Sequence, residues 1–269
     1  MPERTRLGVF GWPVGHSRSP AMQNAALRAV GLTGWRYQRL PVPPELFAET
    51  ARALGEAGFR GANVTIPHKH AALAIADEAT PRARAIGAAN TLVFDAEQRI
   101  WADNTDAPAL IAALPFAISG RVALVLGAGG SARAAVWALL DAGAEVRVWN
   151  RTPERAQRLC EEIGGRPVRT AEPADVLVHC TSSGLDGPDG AFKQLPISAD
   201  LIDRYECVVD FVYSDSGSPI TTAARAQSIP VVDGLELLVG QGALSFERFT
   251  GREAPVDIMR AAARARASE

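Results

Sequence analysis

A chain of 269 residues, 47% of them hydrophobic, has the length for one large folded core or two smaller ones. Its formal net charge of −2 argues against nucleic acid as a main partner, and no apolar run approaches the ~20 residues that cross a membrane. Cys160, Cys180 and Cys207 are too few and too scattered for a disulfide framework or a zinc cluster, and the four histidines lack metal-ligand spacing, so no metal is expected and a reducing cytoplasm is the expected compartment.

In chain order, residues 7–10 read as a first strand, and a loop over 11–19 leads into a helix that Pro20 opens and that runs to about residue 30. Within the loop Ser19, just before Pro20, has the signature of a helix N-cap, whereas Ser17 has no such role and is a candidate ligand contact. Residues 37–40 predict a second strand and 44–57 a helix.

The third predicted strand, 61–66, carries the most information. Val64 and Ile66 are apolar and β-branched, as a buried strand requires, while Asn63 and Thr65 alternate with them and leave on the other face. Pro67 ends the strand and Lys69 follows at once, so an amide, a hydroxyl and an ammonium converge where sheet meets loop. Such a set suits a small polyhydroxylated ligand.

Short helices are predicted over 71–76 and 81–86, and a hairpin over 91–94 and 100–102. Asn90 stands at the mouth of the hairpin's first strand, and Asp106 precedes a helix. Asp106 reads in two ways, as an N-cap or as a carboxylate that shares a proton with Lys69 during carbonyl chemistry.

A second alternation of strands and helices begins near residue 107. The run 122–126 is continuously apolar, as in a strand buried on both faces, and a helix over 131–142 and a strand over 145–149 follow. Between them, Gly127-Ala128-Gly129-Gly130-Ser131-Ala132 puts Gly127, Gly129 and Ala132 at the spacing of a dinucleotide fingerprint. Glycine admits the sharp turn, and the helix N-terminus presents amides to a pyrophosphate.

The next strand tip, Asn150-Arg151-Thr152, lacks the carboxylate that would bind a ribose 2′-hydroxyl. Arg151 and Arg155 instead offer guanidinium groups to a 2′-phosphate, so NADP is expected rather than NAD. A helix over 153–163, strands over 176–180, 208–211 and 231–232, and helices over 235–250 and 255–263 complete the chain. Tyr213 follows a buried strand where ligands bind doubly wound sheets, and Gln241 is a polar residue on an otherwise apolar helix.

These motifs together resemble the shikimate dehydrogenase family along nearly the whole chain. The likeness rests on Gly15-His16-Ser17-Arg18-Ser19-Pro20, Asn63-Val64-Thr65-Ile66-Pro67-His68-Lys69, Gly87-Ala88-Ala89-Asn90-Thr91, Asn104-Thr105-Asp106, Gly127-Ala128-Gly129-Gly130, Asn150-Arg151-Thr152 and Gln241-Gly242-Ala243, in that order. The resemblance implies reversible NADPH-dependent reduction of 3-dehydroshikimate to shikimate by a monomer or homodimer. Lys69 and Asp106 carry over as the catalytic pair, and Ser17, Ser19, Asn63, Thr65, Asn90, Tyr213 and Gln241 as substrate contacts. Thr181, Ser182 and Leu237 join the glycine loop and Asn150, Arg151, Thr152 and Arg155 as cofactor contacts.

The expected fold is two α/β domains. A substrate domain covers 1–105, a Rossmann NADP domain 106–234, and C-terminal helices over 235–269 return to the first domain. The chain departs from the commonest family pattern at His68, at Ala107-Pro108, at His179 where asparagine is usual, and at Leu237 where methionine is frequent. His68 reads as a packing residue. Quinate, an amino analogue of shikimate and a folate substrate are competing substrates. A regulatory module without activity is the competing class, and it should have lost Lys69 or Asp106; both are present.

Overall fold

Leu7 and Val9 face one side of the first strand and Phe10 the other, and each side closes its own core. The structure is a computed structural model that describes residues 5–181, 192–213 and 217–265. It divides into two compact units, Met1–Thr105 with Leu238–Glu269, and Asp106–Leu237. No helix among the described residues is long and apolar enough to cross a membrane.

The first unit begins with β1 (Arg6–Gly11), α1 (Ser19–Ala29) and β2 (Arg36–Pro41). A 3-10 turn at Pro44–Leu46 runs into α2 (Phe47–Ala53), followed by β3 (Phe59–Val64), α3 (Lys69–Ala74) and β4 (Glu78–Ala79). Then come α4 (Pro81–Ile86), β5 (Thr91–Phe94) and β6 (Ile100–Asp103). The six strands form one mixed sheet in the order β2-β1-β3-β5-β6-β4. β1 lies parallel to β2 and β3, whereas β5 runs antiparallel to both β3 and β6.

The second unit holds α5 (Asp106–Ala113), β7 (Val122–Leu126), α6 (Gly130–Asp141), β8 (Glu145–Trp149), α7 (Pro153–Ile163) and β9 (Arg166–Pro167). It continues with β10 (Val176–His179), β11 (Cys207–Asp210), α8 (Pro219–Ala226) and β12 (Val231–Val232). All pairings in its sheet are parallel, in the order β12-β11-β10-β7-β8-β9. Read from the other edge, this is the strand order of a doubly wound dinucleotide-binding fold, with its switch point between β7 and β10. Leu124, Val125 and Leu126 of β7 and Val176, Leu177 and Val178 of β10 are buried on both faces, as a parallel sheet covered by helices requires.

Helix α9 (Gly234–Thr250) starts in the second unit and ends in the first, where α10 (Val256–Arg264) follows. Phe246 and Phe249 of α9 and Met259 of α10 share a core with Leu7, Val9, Met22, Leu27 and Tyr37. Close packing explains one glycine. A Cβ on Gly61 of β3 would lie 2.5 Å from the Phe249 ring and 2.7 Å from the Leu92 carbonyl oxygen.

Several expectations need correction. The strand expected over 61–66 is β3, which ends at Val64; Ile66 lies beyond it and is 58% exposed, not buried. The reason is pairing. β5 begins at Thr91 opposite Asn63, and after Thr65 N–H reaches the Phe10 carbonyl at 2.9 Å the chain turns, with His68 N–H donating to the Thr65 carbonyl at 2.9 Å. The helix expected over 44–57 is a 3-10 turn and seven residues of α-helix, ending before Gly55 and Gly58. The two-residue strands β4 and β9 carry no periodicity to read. Helix α8 was also unforeseen, although Ser218 caps it by accepting the Thr221 N–H at 3.1 Å, with Pro219 at its first position.

Candidate functional site

Asn63 is the hub of a buried polar cluster in the first unit. Its Oδ1 accepts the Tyr37 hydroxyl at 2.8 Å and the Ser245 hydroxyl at 3.3 Å, and its Nδ2 donates to the Asn90 carbonyl and to Thr91 Oγ1, both at 3.3 Å. Asn90 Oδ1 accepts the Thr105 N–H at 2.8 Å and the hydroxyls of Thr91 and Thr105 at 3.0 and 3.1 Å. Asn90 Nδ2 reaches Gln241 Oε1 at 3.4 Å, and Gln241 Nε2 donates to the Leu238 carbonyl at 2.8 Å. Gln241 is half-buried at the point where α9 enters this unit. β3, β5, the start of α5's approach and α9 thus deliver amides and hydroxyls to one place.

Lys69 is the first residue of α3 and only 8% exposed. Its carbonyl accepts the Ala89 N–H at 2.9 Å, which ties the start of α3 to the segment carrying Asn90. Thr65 is half-buried on the same turn. Asp106 opens α5 and is 7% exposed. Its sequence neighbour Asp103 is spoken for: Arg82 Nη2 lies 2.8 Å from both of its oxygens, Arg248 Nη2 3.0 Å from Oδ2, and the Thr80 hydroxyl and Asn104 N–H donate to Oδ1 at 2.7 Å. Asp103 therefore ties β6, α4 and α9 together and has no capacity left for chemistry.

Ser19 is not the N-cap that its place before Pro20 predicts. Arg18 occupies the N-cap position and Ser19 is the first helical residue, while Ser17 Oγ accepts the Ser19 N–H at 3.3 Å. Both serines are buried, and Arg39 holds this turn by donating to the Ser17 carbonyl at 2.8 Å. His68 packs as expected: its ring stacks on Phe47 at 4.5 Å between centroids, and Nε2 lies 2.8 Å from the Val42 carbonyl. Burial lowers its pKa below the ordinary imidazole value, opposed by that hydrogen bond.

The second unit gathers the remaining candidates at the C-terminal edge of its sheet, where doubly wound folds bind ligands. Gly127 follows β7 with φ of +122°, and a Cβ there would meet the Cys180 backbone at 3.2 Å. Gly129 is the N-cap of α6, and a Cβ on it would meet no protein atom within 4 Å. Packing does not demand glycine at 129, so its bare backbone suits close approach of an outside group to the helix N-terminus. Gly130 and Ser131 open α6, Ala128 lies in the turn, and Ala132 is fully buried in the core.

At the tip of β8, Asn150 Nδ2 donates to the Thr152 carbonyl at 2.9 Å, and Arg155 N–H does the same at 3.0 Å. Arg151 and Arg155 are exposed, with Arg151 Nη1 donating to Gln194 Oε1 at 2.7 Å. The donor set of an open glycine turn and two guanidinium groups fits a dinucleotide bearing a 2′-phosphate. Tyr213 follows β11 half-buried, and Thr181 follows β10. Leu237 packs in the core at 4% exposure with Val209 and Val232. Ser182 lies outside the described residues. Burial pushes the Cys160 and Cys207 thiols up to about 11, which keeps both inert.

Sequence reasoning missed Tyr37, Thr91, Thr105 and Ser245 as members of the polar cluster. Ser245 had a readable signal, since it stands four residues from Gln241 on the same helical face. Thr91 and Thr105 sit inside the quoted motifs but carried no assigned role. Tyr37 had none, because its partner lies 26 residues away.

Three family models match the chain. Residues 9–92 match the shikimate dehydrogenase substrate binding domain, 111–184 the shikimate / quinate 5-dehydrogenase model, and 234–264 the shikimate 5′-dehydrogenase C-terminal domain. A shikimate dehydrogenase (NADP(+)) of Paracoccus denitrificans is 42% identical over 264 residues, covering 93% of this chain and 92% of the relative. A solved shikimate 5-dehydrogenase of Thermus thermophilus, in complex with NADP(H) and shikimate, superposes with a TM-score of 0.88 at 41% identity, covering 97% of this chain and 98% of the other. The ligand-free 5-ketofructose reductase of a Gluconobacter strain superposes with a TM-score of 0.84 at 26% identity, covering 98% and 99%.

Proposed function

The chain belongs to the shikimate dehydrogenase family, and from that premise we propose that it reversibly reduces 3-dehydroshikimate to shikimate with NADPH. The observation that carries the reading is Lys69, buried on the turn that follows the strand of Asn63, whose cluster of amides and hydroxyls suits a polyol. NADPH, when bound, supplies the hydride that reduces the ketone carbon. The chain supplies the rest of the chemistry. Reduction of a ketone leaves an alkoxide oxygen that needs one proton, and Lys69 with Asp106 is assigned to deliver it; in the oxidation direction the same pair takes the proton back.

Ser17, Ser19, Asn63, Thr65, Asn90, Tyr213 and Gln241 are assigned to the substrate's hydroxyl and carboxylate groups. Gly127, Ala128, Gly129, Gly130, Ser131 and Ala132 are assigned to the pyrophosphate turn, and Asn150, Arg151, Thr152 and Arg155 to the adenosine 2′-phosphate. Thr181, Ser182 and Leu237 remain assigned to the cofactor. On this assignment Met1–Thr105 with the C-terminal helices is the substrate domain and Asp106–Leu237 the NADP domain.

The test is oxidation of shikimate and quinate by the purified protein with NADP or NAD, followed by cofactor absorbance. The highest kcat/KM is expected for shikimate with NADP. Faster turnover of quinate, or indifference between the cofactors, would overturn the respective half of the proposal.

A further inference from the structure

His179 ends β10 and Asp210 ends β11, and the two are register partners in the parallel sheet. Both side chains are fully buried. His179 Nδ1 lies 2.9 Å from Asp210 Oδ1, and Nε2 lies 2.6 Å from Thr181 Oγ1. Asp210 is itself fixed. Its Oδ1 accepts the Val212 N–H at 2.8 Å, and its Oδ2 accepts the hydroxyl of Ser218, the residue that caps α8. A carboxylate only accepts, so Nδ1 carries the imidazole hydrogen. In the neutral ring Nε2 then has only a lone pair, and the Thr181 hydroxyl must donate to it. With its O–H directed at His179, the Thr181 hydroxyl presents its oxygen to a ligand as an acceptor.

Thr181 stands past the end of β10, beside the switch point with β7. In a doubly wound fold each three-strand half serves one mononucleotide. The β7–β9 half carries Arg151 at the tip of β8 and so takes the adenosine side. The β10–β12 half is left for the nicotinamide side, whose one N–H donor group is the carboxamide. We infer that His179 is a positioning residue: braced on Asp210, it holds the Thr181 hydroxyl as an acceptor for the nicotinamide carboxamide. The inference rests on the NADP reading above. A buried His–Asp pair that merely clamps β10 to β11 predicts something different, because a clamp has no reason to govern affinity through Thr181.

The experiment is calorimetric titration of the full chain with NADP and with its 3-acetylpyridine analogue, which lacks the carboxamide N–H₂. Thermal unfolding of the ligand-free protein is followed in parallel. His179→Asn keeps a donor for Asp210 but falls short of Thr181; Thr181→Val keeps the shape and removes the hydroxyl; Thr181→Ser restores it. His179→Asn and Thr181→Val should each weaken NADP binding by about tenfold, the double variant no further, and Thr181→Ser little, since contacting residues in one network are not additive. The analogue should bind the wild type and all four variants alike. Additive losses, or a lower unfolding temperature in His179→Asn with unchanged NADP affinity, would leave only the clamp. If Thr181→Val binds NADP normally while Arg151→Ala does not, the inference falls and the NADP reading stands. If the wild-type chain fails to bind NADP, both fall.

Discussion

On the proposed assignment, the polar cluster of the first unit and the strand-end edge of the second face opposite recognition problems. Around Asn63 and Asn90, the functional side chains are buried and cross-linked by their own hydrogen bonds, so their orientation is set before any ligand arrives. At the tips of β7 and β8 the chain offers backbone amides at an open glycine turn and exposed guanidinium groups. A compact polyol differs from its analogues by single hydroxyls, and only preorganised partners discriminate at that level. A dinucleotide announces itself by phosphate charge, which tolerant surface arginines detect. The difference teaches that rigidity is placed where the ligand's information lies in shape, and exposure where it lies in charge.

Removing the reactive group should break the first region most severely. Lys69→Ala is expected to lower kcat by ~10²–10⁴-fold while NADPH affinity stays near wild type, because general acid–base groups contribute on that scale. A variant that keeps its turnover would take Lys69 out of the mechanism. Asp106→Asn sharpens the point. Asparagine caps a helix about as well as aspartate, so a helix-start role predicts unchanged stability and turnover, and a catalytic role predicts lost turnover.

Asn90→Ala tests whether the cluster is truly preorganised. It orphans the buried Thr105 N–H and one of the Thr91 and Thr105 hydroxyls, which lie 3.3 Å apart so that one can donate to the other; each group left without an acceptor costs roughly 1–3 kcal/mol. Thermal unfolding should drop and shikimate KM should rise together. Asn90→Asp, which keeps the acceptor oxygen, should recover most of the stability but not the KM. In the second region Arg151→Ala should leave stability alone and weaken NADPH binding about 10–100-fold, with little change for NADH, as the loss of a charge-assisted bond to one phosphate predicts. Equal weakening of both cofactors would assign Arg151 to the pyrophosphate or to structure.

The same contrast governs what the sequence made legible. The second unit's sheet was readable because β7 is a continuous apolar run, Val146 and Val148 alternate with polar residues in β8, and the glycine turn between them has fixed spacing; 122–126, 145–149 and 231–232 match β7, β8 and β12 residue for residue. In the first unit the identities of Asn63, Asn90 and Gln241 were readable but their partners were not. Tyr37 reaches Asn63 across the sheet, and Asp103 collects Arg82 and Arg248 from distant elements; no local period encodes either. Ile66 misled because β-branching marks a strand former without saying where pairing stops. Ser19 was misread as an N-cap because the cap rule assumes that the serine before proline lies outside the helix, and here the helix begins one residue earlier, with Arg18 at the cap.

The smallest expected effect concerns His68, which ends the turn leading to Lys69 and stacks on Phe47. Burial lowers its folded-state pKa below the unfolded value near 6.5, so the native ring resists protonation that the unfolded chain accepts. As pH falls through the unfolded value, the unfolded state binds more protons than the native one, and stability declines until the folded pKa is reached. Above that window the contribution is constant. His68→Phe keeps the stack and removes the titration, at the loss of the bond to the Val42 carbonyl. The variant should therefore be slightly less stable than wild type at neutral pH, with the gap narrowing as pH is lowered from about 7 toward 5, because only the wild type carries this penalty. Unfolding temperatures measured across that range decide the matter. A gap that stays constant with pH would mean that His68 titrates normally, and that the turn before Lys69 is less dry than its packing indicates.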